Sequence, residues 1–435
     1  MMKHGSGCLS IRSVGAEVAS LLCERFSPIA NSIVCQRQTM RLTFVRNARK
    51  DQQVMDFELP EEHQLAYESA FAFARDEIRP HNAEIERSDD FPRWMWQRLA
   101  DQGYTGIAIP EEYGGSDGDF LMAALVSRGI GRANGAIAMS FGAHLNLCAH
   151  NILRNGTEEQ KQRYLPRLAS TEMIGALGLT EPNAGSDAMG IQMTARATSG
   201  GYLLNGTKMF ITNGPIADLL VVYAKTKPEA GSRGITAFIF ETKTPGYHVA
   251  RKLEKVGMRG SPTGELVFED AFVPEENVLG KVNEGFKVVM SGLDLERAFF
   301  AVSAIGGLEA ALEVSMKYAT EREQFGQPIA NFQLIQAKIA DMYTDLEAAR
   351  LMAHRCMWLA QQGKRVSKEA AAALLFTARA SMRAADEALQ IHGGWGYLTD
   401  FEVERMWRNA KLGEIGAGTN EIRQLLIARE LFGMR

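Results

Sequence analysis

The chain has 435 residues, long enough for two or three domains at roughly 100–200 residues each. Apolar residues make up 46% and charged residues 23%, the balance of an ordinary soluble globular protein, and a net charge of −4 gives no reason to expect nucleic acid or an anionic membrane as partner. Five cysteines without a C-x-x-C pair argue against a disulfide framework or a structural zinc, so no metal is expected.

Residues 1–54 stand apart. The first 50 carry eight basic residues against only Glu17 and Glu24, and they include Cys8, Cys23 and Cys35. An Arg-rich, acid-poor leader can be an organelle transit peptide, which would place the protein in the mitochondrial matrix. The segment lacks a sustained amphipathic pattern, so the favoured reading is a non-native extension, poorly ordered, on a bacterial cytoplasmic protein.

Residues 55–173 read as a helical domain. Pro60 opens an amphipathic run to Ile78, which Arg79-Pro80 stops, and further helices are expected at Trp94–Gln102, Phe120–Arg132, Met139–Asn155 and Glu158–Leu165. The uncharged stretch Ala133–Leu153 contains Asn134, His144, Asn146, His150 and Asn151, so it reads as buried helix rather than a membrane span. His144 and Cys148 would share a helix face, which core packing explains better than metal or thiol chemistry.

Residues 174–283 change to short β-rich runs: Ala176–Thr180, Ala195–Ala197, Tyr202–Leu204, Lys208–Thr212, Leu219–Ala224, Thr236–Glu241 and Glu265–Phe268. Ser199-Gly200-Gly201, Asn205-Gly206 and Asn213-Gly214-Pro215 are expected turns between them, giving a barrel or sandwich. Residues 284–435 return to long apolar-periodic helices at Phe286–Thr320, Phe332–Gln361 and Lys368–Ile391. The fold class is α+β: an N-terminal helical domain, a central β-barrel or sandwich and a C-terminal four-helix bundle.

Five segments have the composition of ligand-binding loops. Leu177–Asp187 is a strand running into a turn dense in Pro, Asn, Gly and Ser, which exposes backbone N–H groups. Phe210-Ile211-Thr212 ends a β-run with a large side chain. Arg322–Ile329, followed by Phe332-Gln333, is a charged helix end and loop. Gln390–Tyr397 places adjacent glycines after a long helix, and Glu414–Glu421 sets small residues between two helical runs. On residue types alone, each is equally an ordinary surface turn.

In this order and spacing the five segments resemble the acyl-CoA dehydrogenase family, from about Phe57 to Phe432. The resemblance implies the acyl-CoA dehydrogenase fold, bound FAD, an acyl-CoA substrate, electron-transfer flavoprotein as acceptor and a homotetramer. It implies FAD contacts from Leu177, Leu179, Thr180, Gly185, Ser186, Phe210, Ile211, Thr212, Thr419 and Glu421. Arg322, Gln333, Gln390, Gly393 and Gly394 would meet the cofactor of a neighbouring subunit. For the substrate it implies Ser186, Ser232, Arg233, Lys287, Asp294, Arg297, Phe300, Ala417 and Gly418.

Most family members carry the catalytic glutamate where this chain has Ala417. The base is therefore expected at Glu296, in Met290–Arg297, with Leu293, Phe299 and Phe300 at helical spacing around it. A carboxylate among such neighbours is desolvated, which suits a general base. The isovaleryl-CoA dehydrogenase branch shows both halves of this exchange, which points to a short, branched acyl-CoA. Phe300 and Gly413 depart from that branch. The alternatives are a straight-chain short or medium acyl-CoA dehydrogenase, an oxygen-using relative and a flavin-binding relative without turnover.

Overall fold

A computed structural model describes residues 58–434; the leader reading for residues 1–54 lies outside them. Helix α1 (Glu61–Phe73) begins directly after Pro60 and runs into a π-helical turn at Ala74–Ile78. Helices α2 (Asn82–Ser88) and α3 (Arg93–Asp101) follow. Helix α4 (Phe120–Ala133) starts where the Asp119 carboxylate accepts the Met122 N–H at 2.8 Å. Helix α5 (Gly135–Gly142) starts where Asn134 accepts the N–H groups of Ala136 and Ile137.

The single helix expected over Met139–Asn155 is instead three pieces. Helix α5 passes into a π-helical segment, Ala143–Ala149, and then into α6 (His150–Asn155). Wider turns of this kind re-aim side chains and recur at functional sites. His144 anchors the segment: its Nδ1 accepts the Gly175 N–H and its Nε2 donates to the Leu168 carbonyl, both at 3.0 Å. Helix α7 (Glu158–Ala169) closes this part, with a reciprocal cap between Thr157 and Gln160.

The middle part is one twisted sheet of eight strands: β1 (Gly175–Gly178), β2 (Thr194–Thr198), β3 (Gly201–Thr212), β4 (Leu219–Lys225), β5 (Ile235–Glu241), β6 (Tyr247–Lys252), β7 (Thr263–Pro274) and β8 (Val278–Leu279). The order is β6-β7-β3-β2-β4-β5-β8, with β1 parallel to β4. Two expectations are corrected here. Asn205-Gly206 is a β-bulge inside one strand rather than a hairpin turn, because β7 pairs along both halves of β3. Strand β6 is additional; it pairs only with β7, and its side chains are mostly exposed, so its polar Tyr-His-Val-Ala-Arg-Lys run carried no strand signal.

Helices α8 (Gly285–Glu321), α9 (Gln333–Gln361) and α10 (Ser367–His392) pack on one another, and α8 also lies along α4. Helices α11 (Glu402–Gly413) and α12 (Asn420–Phe432) pack on α10. Helix α8 is long and apolar enough to cross a membrane, yet its most apolar window is 67% buried, which marks it as a core helix. A buried ionic cluster joins four helices: Glu309 accepts from Arg128, from Arg350 and from the Tyr67 hydroxyl. Burial alone would raise the Glu309 carboxyl, but Arg128 and Arg350 hold it at about 2.

Candidate active site

The long helix α8 packs against β5 and, near its start, leaves a small cleft of about 30 Å³ beside β1 and β4. Glu296 lines it from α8, together with Val289, Gly292 and Leu293. Leu177, Leu179 and Tyr223 form the sheet wall. Asn146 and Leu147 come from the π-helical segment, and Asn151 and Arg154 from α6.

Among the described residues no hydrogen bond or ion pair reaches the Glu296 carboxylate. Burial pushes its pKa up to about 7, against the pull of Arg297 and Arg423. A desolvated carboxyl group poised near neutrality is suited to take a proton from a weak carbon acid.

Of the apolar neighbours expected around Glu296, only Leu293 lines this cleft. Phe299 belongs to the helical core and Phe300, partly buried, packs against it, their rings edge-to-face at 6.1 Å. Four polar lining residues were not singled out as site residues from sequence. Tyr223 is buried in β4, and its hydroxyl accepts from Asn151 Nδ2 at 3.0 Å. Asn146 is only 6% exposed, and its Nδ2 has no hydrogen-bond partner. Arg154 donates to the Ser291 carbonyl. The signal for the two asparagines was their place in an otherwise uncharged buried stretch; for Tyr223 there was none.

The loop between α11 and α12 approaches α8 next to Glu296. A Cβ built on Gly418 would lie 4.0 Å from Nη2 of Arg297, the residue after Glu296. Ala417 and Gly418 both have left-handed backbone, φ 54° and 88°, a conformation that costs an alanine about 1–2 kcal/mol. Arg423, 1% exposed, holds the loop from below: it donates to the Gly413 carbonyl and Asn420 Oδ1, each at 2.9 Å, and to the Gly416 carbonyl. Thr419 caps α12 by accepting the Ile422 N–H, and Glu421 is exposed. Asp294 and Arg297 bond to each other at 3.1 Å, and Ser367 also donates to Asp294.

A second stitched region lies at the turn after β1. The buried Glu181 accepts from Lys208 Nζ at 2.8 Å and from the Met193 N–H at 3.0 Å, while Lys208 also donates to the Leu179 carbonyl. The Thr180 carbonyl accepts the Met209 N–H. This anchoring leaves Gly185 and Ser186 exposed. A second bulge in β3, between Lys208 and Ile211, turns Phe210 outward at φ 60°; its residue is 66% exposed while Ile211 is buried and Thr212 partly so. Positive φ is a strained conformation for an aromatic residue.

Elsewhere on the surface is a larger groove of about 700 Å³, lined by Arg322, Phe325, Phe332, His392, Gly393 and Gly394 among others. Phe325 and Gly326, both at positive φ, form the two-residue tip of a small hairpin of β9 (Glu323–Gln324) and β10 (Gln327–Pro328). A Cβ on Gly393 or Gly394 would meet nothing within 4 Å, so the groove floor is open to close approach. Gln333 and Gln390 are exposed near the ends of α9 and α10. The groove and the Glu296 cleft share no lining residue. Ser232 and Arg233 are exposed on the turn Pro228–Gly234, and Lys287 is exposed and paired with Glu284 at 2.5 Å; none of the three lines the cleft.

Three family models match in sequence: the acyl-CoA dehydrogenase N-terminal domain over residues 60–172, the middle domain over 176–271 and the C-terminal domain over 283–432. The chain is 48% identical over 367 residues to a mitochondrial isovaleryl-CoA dehydrogenase of Solanum tuberosum, covering 84% of this chain and 89% of that one. It is 47% identical over the same length to a mitochondrial 2-methylacyl-CoA dehydrogenase of the same plant, covering 84% and 89%. A chain solved in work on the electron transferring flavoprotein of Acidaminococcus fermentans superposes with a TM-score of 0.85 at 42% identity, covering 87% of this chain and 99% of that one. Sequence and fold agree across both helical parts and the sheet, and the chain belongs to the acyl-CoA dehydrogenase family.

Proposed function

We propose that this protein is an FAD-dependent acyl-CoA dehydrogenase acting on a short, branched acyl-CoA, isovaleryl-CoA foremost, with Glu296 as the base. One observation carries the reading. Glu296 lines a cleft of mixed apolar and polar walls, no hydrogen bond reaches its carboxylate among the described residues, and burial lifts its pKa to about 7. Ala417, at the position where most of the family has the glutamate, has no side chain able to act as base.

The residues present fit FAD. Phe210 offers an exposed ring beside a turn whose Gly185 and Ser186 are open, and Arg322 lies in a groove floored by bare glycines. When bound, FAD supplies the two-electron acceptor for desaturation. Leu177, Leu179, Thr180, Ile211, Thr212, Thr419 and Glu421 are assigned to the same cofactor. Arg322, Gln333, Gln390, Gly393 and Gly394 are assigned to the cofactor of a second copy, which leads to the proposed tetramer.

Within the cleft, the chain's own residues hold and move one proton. The backbone N–H groups of the Ala417–Gly418 loop orient the thioester carbonyl and favour the developing enolate. Glu296 then takes the α-proton onto its carboxylate, with Leu177, Leu179, Val289 and Leu293 as the apolar part of the wall around it. Ser186, Ser232, Arg233, Asp294 and Arg297 are assigned to the CoA portion, and Lys287 to its outer edge. Electron-transfer flavoprotein is the proposed acceptor that restores the enzyme.

The test is an anaerobic titration of the yellow holoprotein with butyryl-, isovaleryl-, 2-methylbutyryl- and octanoyl-CoA, followed at the flavin absorbance. Isovaleryl-CoA is expected to bleach it fastest. Fastest bleaching by octanoyl-CoA would overturn the substrate assignment, and peroxide release without added acceptor would favour an oxidase.

A further inference from the structure

Glycine 292 sits one helical turn before Glu296 on α8, and both line the same cleft. A glycine inside a helix costs stability relative to alanine, so it calls for a reason. Two other glycines of this helix have one in the backbone packed against them. A Cβ on Gly285 would lie 2.8 Å from the Ala237 nitrogen, and one on Gly306 would lie 2.3 Å from the Arg128 carbonyl oxygen. A Cβ on Gly292 would meet nothing within 4 Å, and its backbone is ordinary helix. Neither packing nor conformation requires glycine at that position. The space belongs to the cleft.

The same helix shows which way the cleft opens. Met290 is 56% exposed and Lys287 is exposed, and the exposed Arg154 reaches the Ser291 carbonyl at the lip. From Arg297 through Phe299 the helix is buried. A ligand that arrives from solvent along α8 therefore passes residue 292 before it reaches Glu296.

Building on the proposed function, we infer that Gly292 is the clearance point of the entrance. Its missing side chain leaves room for the slender pantetheine arm of an acyl-CoA to cross α8 between Val289 and Leu293, with the thioester then beside Glu296. Any side chain at 292 narrows that passage. It weakens every CoA thioester alike, because the acyl group lies beyond the obstruction.

The test uses FAD-loaded protein and calorimetric binding of crotonyl-CoA and 3-methylcrotonyl-CoA, enoyl products that bind without turnover. The variants are Gly292→Ala, Gly292→Leu and a control, Gly307→Ala, which also has open space at its Cβ but is exposed away from the cleft. Gly292→Leu is expected to weaken both ligands by about 30-fold or more, and Gly292→Ala by about 3–10-fold, equally for the two ligands. Gly307→Ala is expected to leave both within about twofold. Alanine raises helix propensity at either position, so both Ala variants keep the test open if the Leu variant does not fold. Wild-type affinity in Gly292→Ala and Gly292→Leu overturns the inference, and so does a loss confined to 3-methylcrotonyl-CoA. If the wild type binds neither ligand, the function proposed above falls first; if it binds both and Glu296→Gln binds them equally well, that reading stands while Gly292 is judged alone.

Discussion

Replacing Glu296 by Gln should make the protein more stable at alkaline pH. The Glu296 carboxyl titrates near 4.5 when unfolded and at about 7 in the fold, raised by burial. The folded state therefore holds a proton that the unfolded state has released between those two values. Stability from this group is fully present below pH 4.5 and falls as pH rises through 7. The gap corresponds to about 3 kcal/mol, trimmed toward about 2 kcal/mol because the residue keeps some contact with solvent. Gln is nearly isosteric and carries no charge, so it escapes this penalty. Thermal unfolding of holoprotein at pH 4.5 and pH 8.5 measures it: the two proteins should coincide at the lower pH, and Gln should melt higher at the upper pH. The wild-type rate of flavin bleaching should rise through pH 7 to a plateau, because only the carboxylate is a base. A Gln variant less stable than wild type at pH 8.5 would refute the reasoning, since it would mean the carboxylate has a partner in the fold.

Other outcomes follow from the residues that support the site. Lys208→Met leaves Glu181 buried without its cation and should cost about 3–5 kcal/mol in chemical denaturation, most of it recovered in Lys208→Met/Glu181→Gln. Arg423→Met strips the loop of three hydrogen bonds and should lower stability by about 3 kcal/mol and weaken enoyl-CoA binding in calorimetry, whereas Arg429→Met on the same helix should do neither. Phe210→Gly relieves a strained backbone and should gain about 1 kcal/mol in the FAD-free protein while lowering FAD retention on dialysis.

Much of the molecule was legible from local pattern. The switch from helix period to short β-runs and back marked the sheet, whereas Glu296 became a candidate base only through the resemblance of its motif to the family. What escaped was set by distant partners. Asn205-Gly206 has hairpin chemistry, but pairing with β7, some 60 residues away, is worth more than a local turn. The π-helical segment differs from α-helix only in hydrogen-bond offset, which residue types do not announce. Lys208 in an apolar strand reads as a solvent-facing residue until Glu181 is placed beside it. Arg423 reads as one more helix charge until the carbonyls of Gly413 and Gly416 close on it. Tyr223 shows the same limit for the site itself, since only tertiary packing places it on the cleft wall.

The role of Glu296 is tested most directly by single-turnover reduction of Glu296→Gln holoprotein under anaerobic isovaleryl-CoA. The variant should retain FAD and bind 3-methylcrotonyl-CoA, while the rate of flavin bleaching falls by about 10³-fold or more. Bleaching within about tenfold of wild type would show that the α-proton leaves to another group.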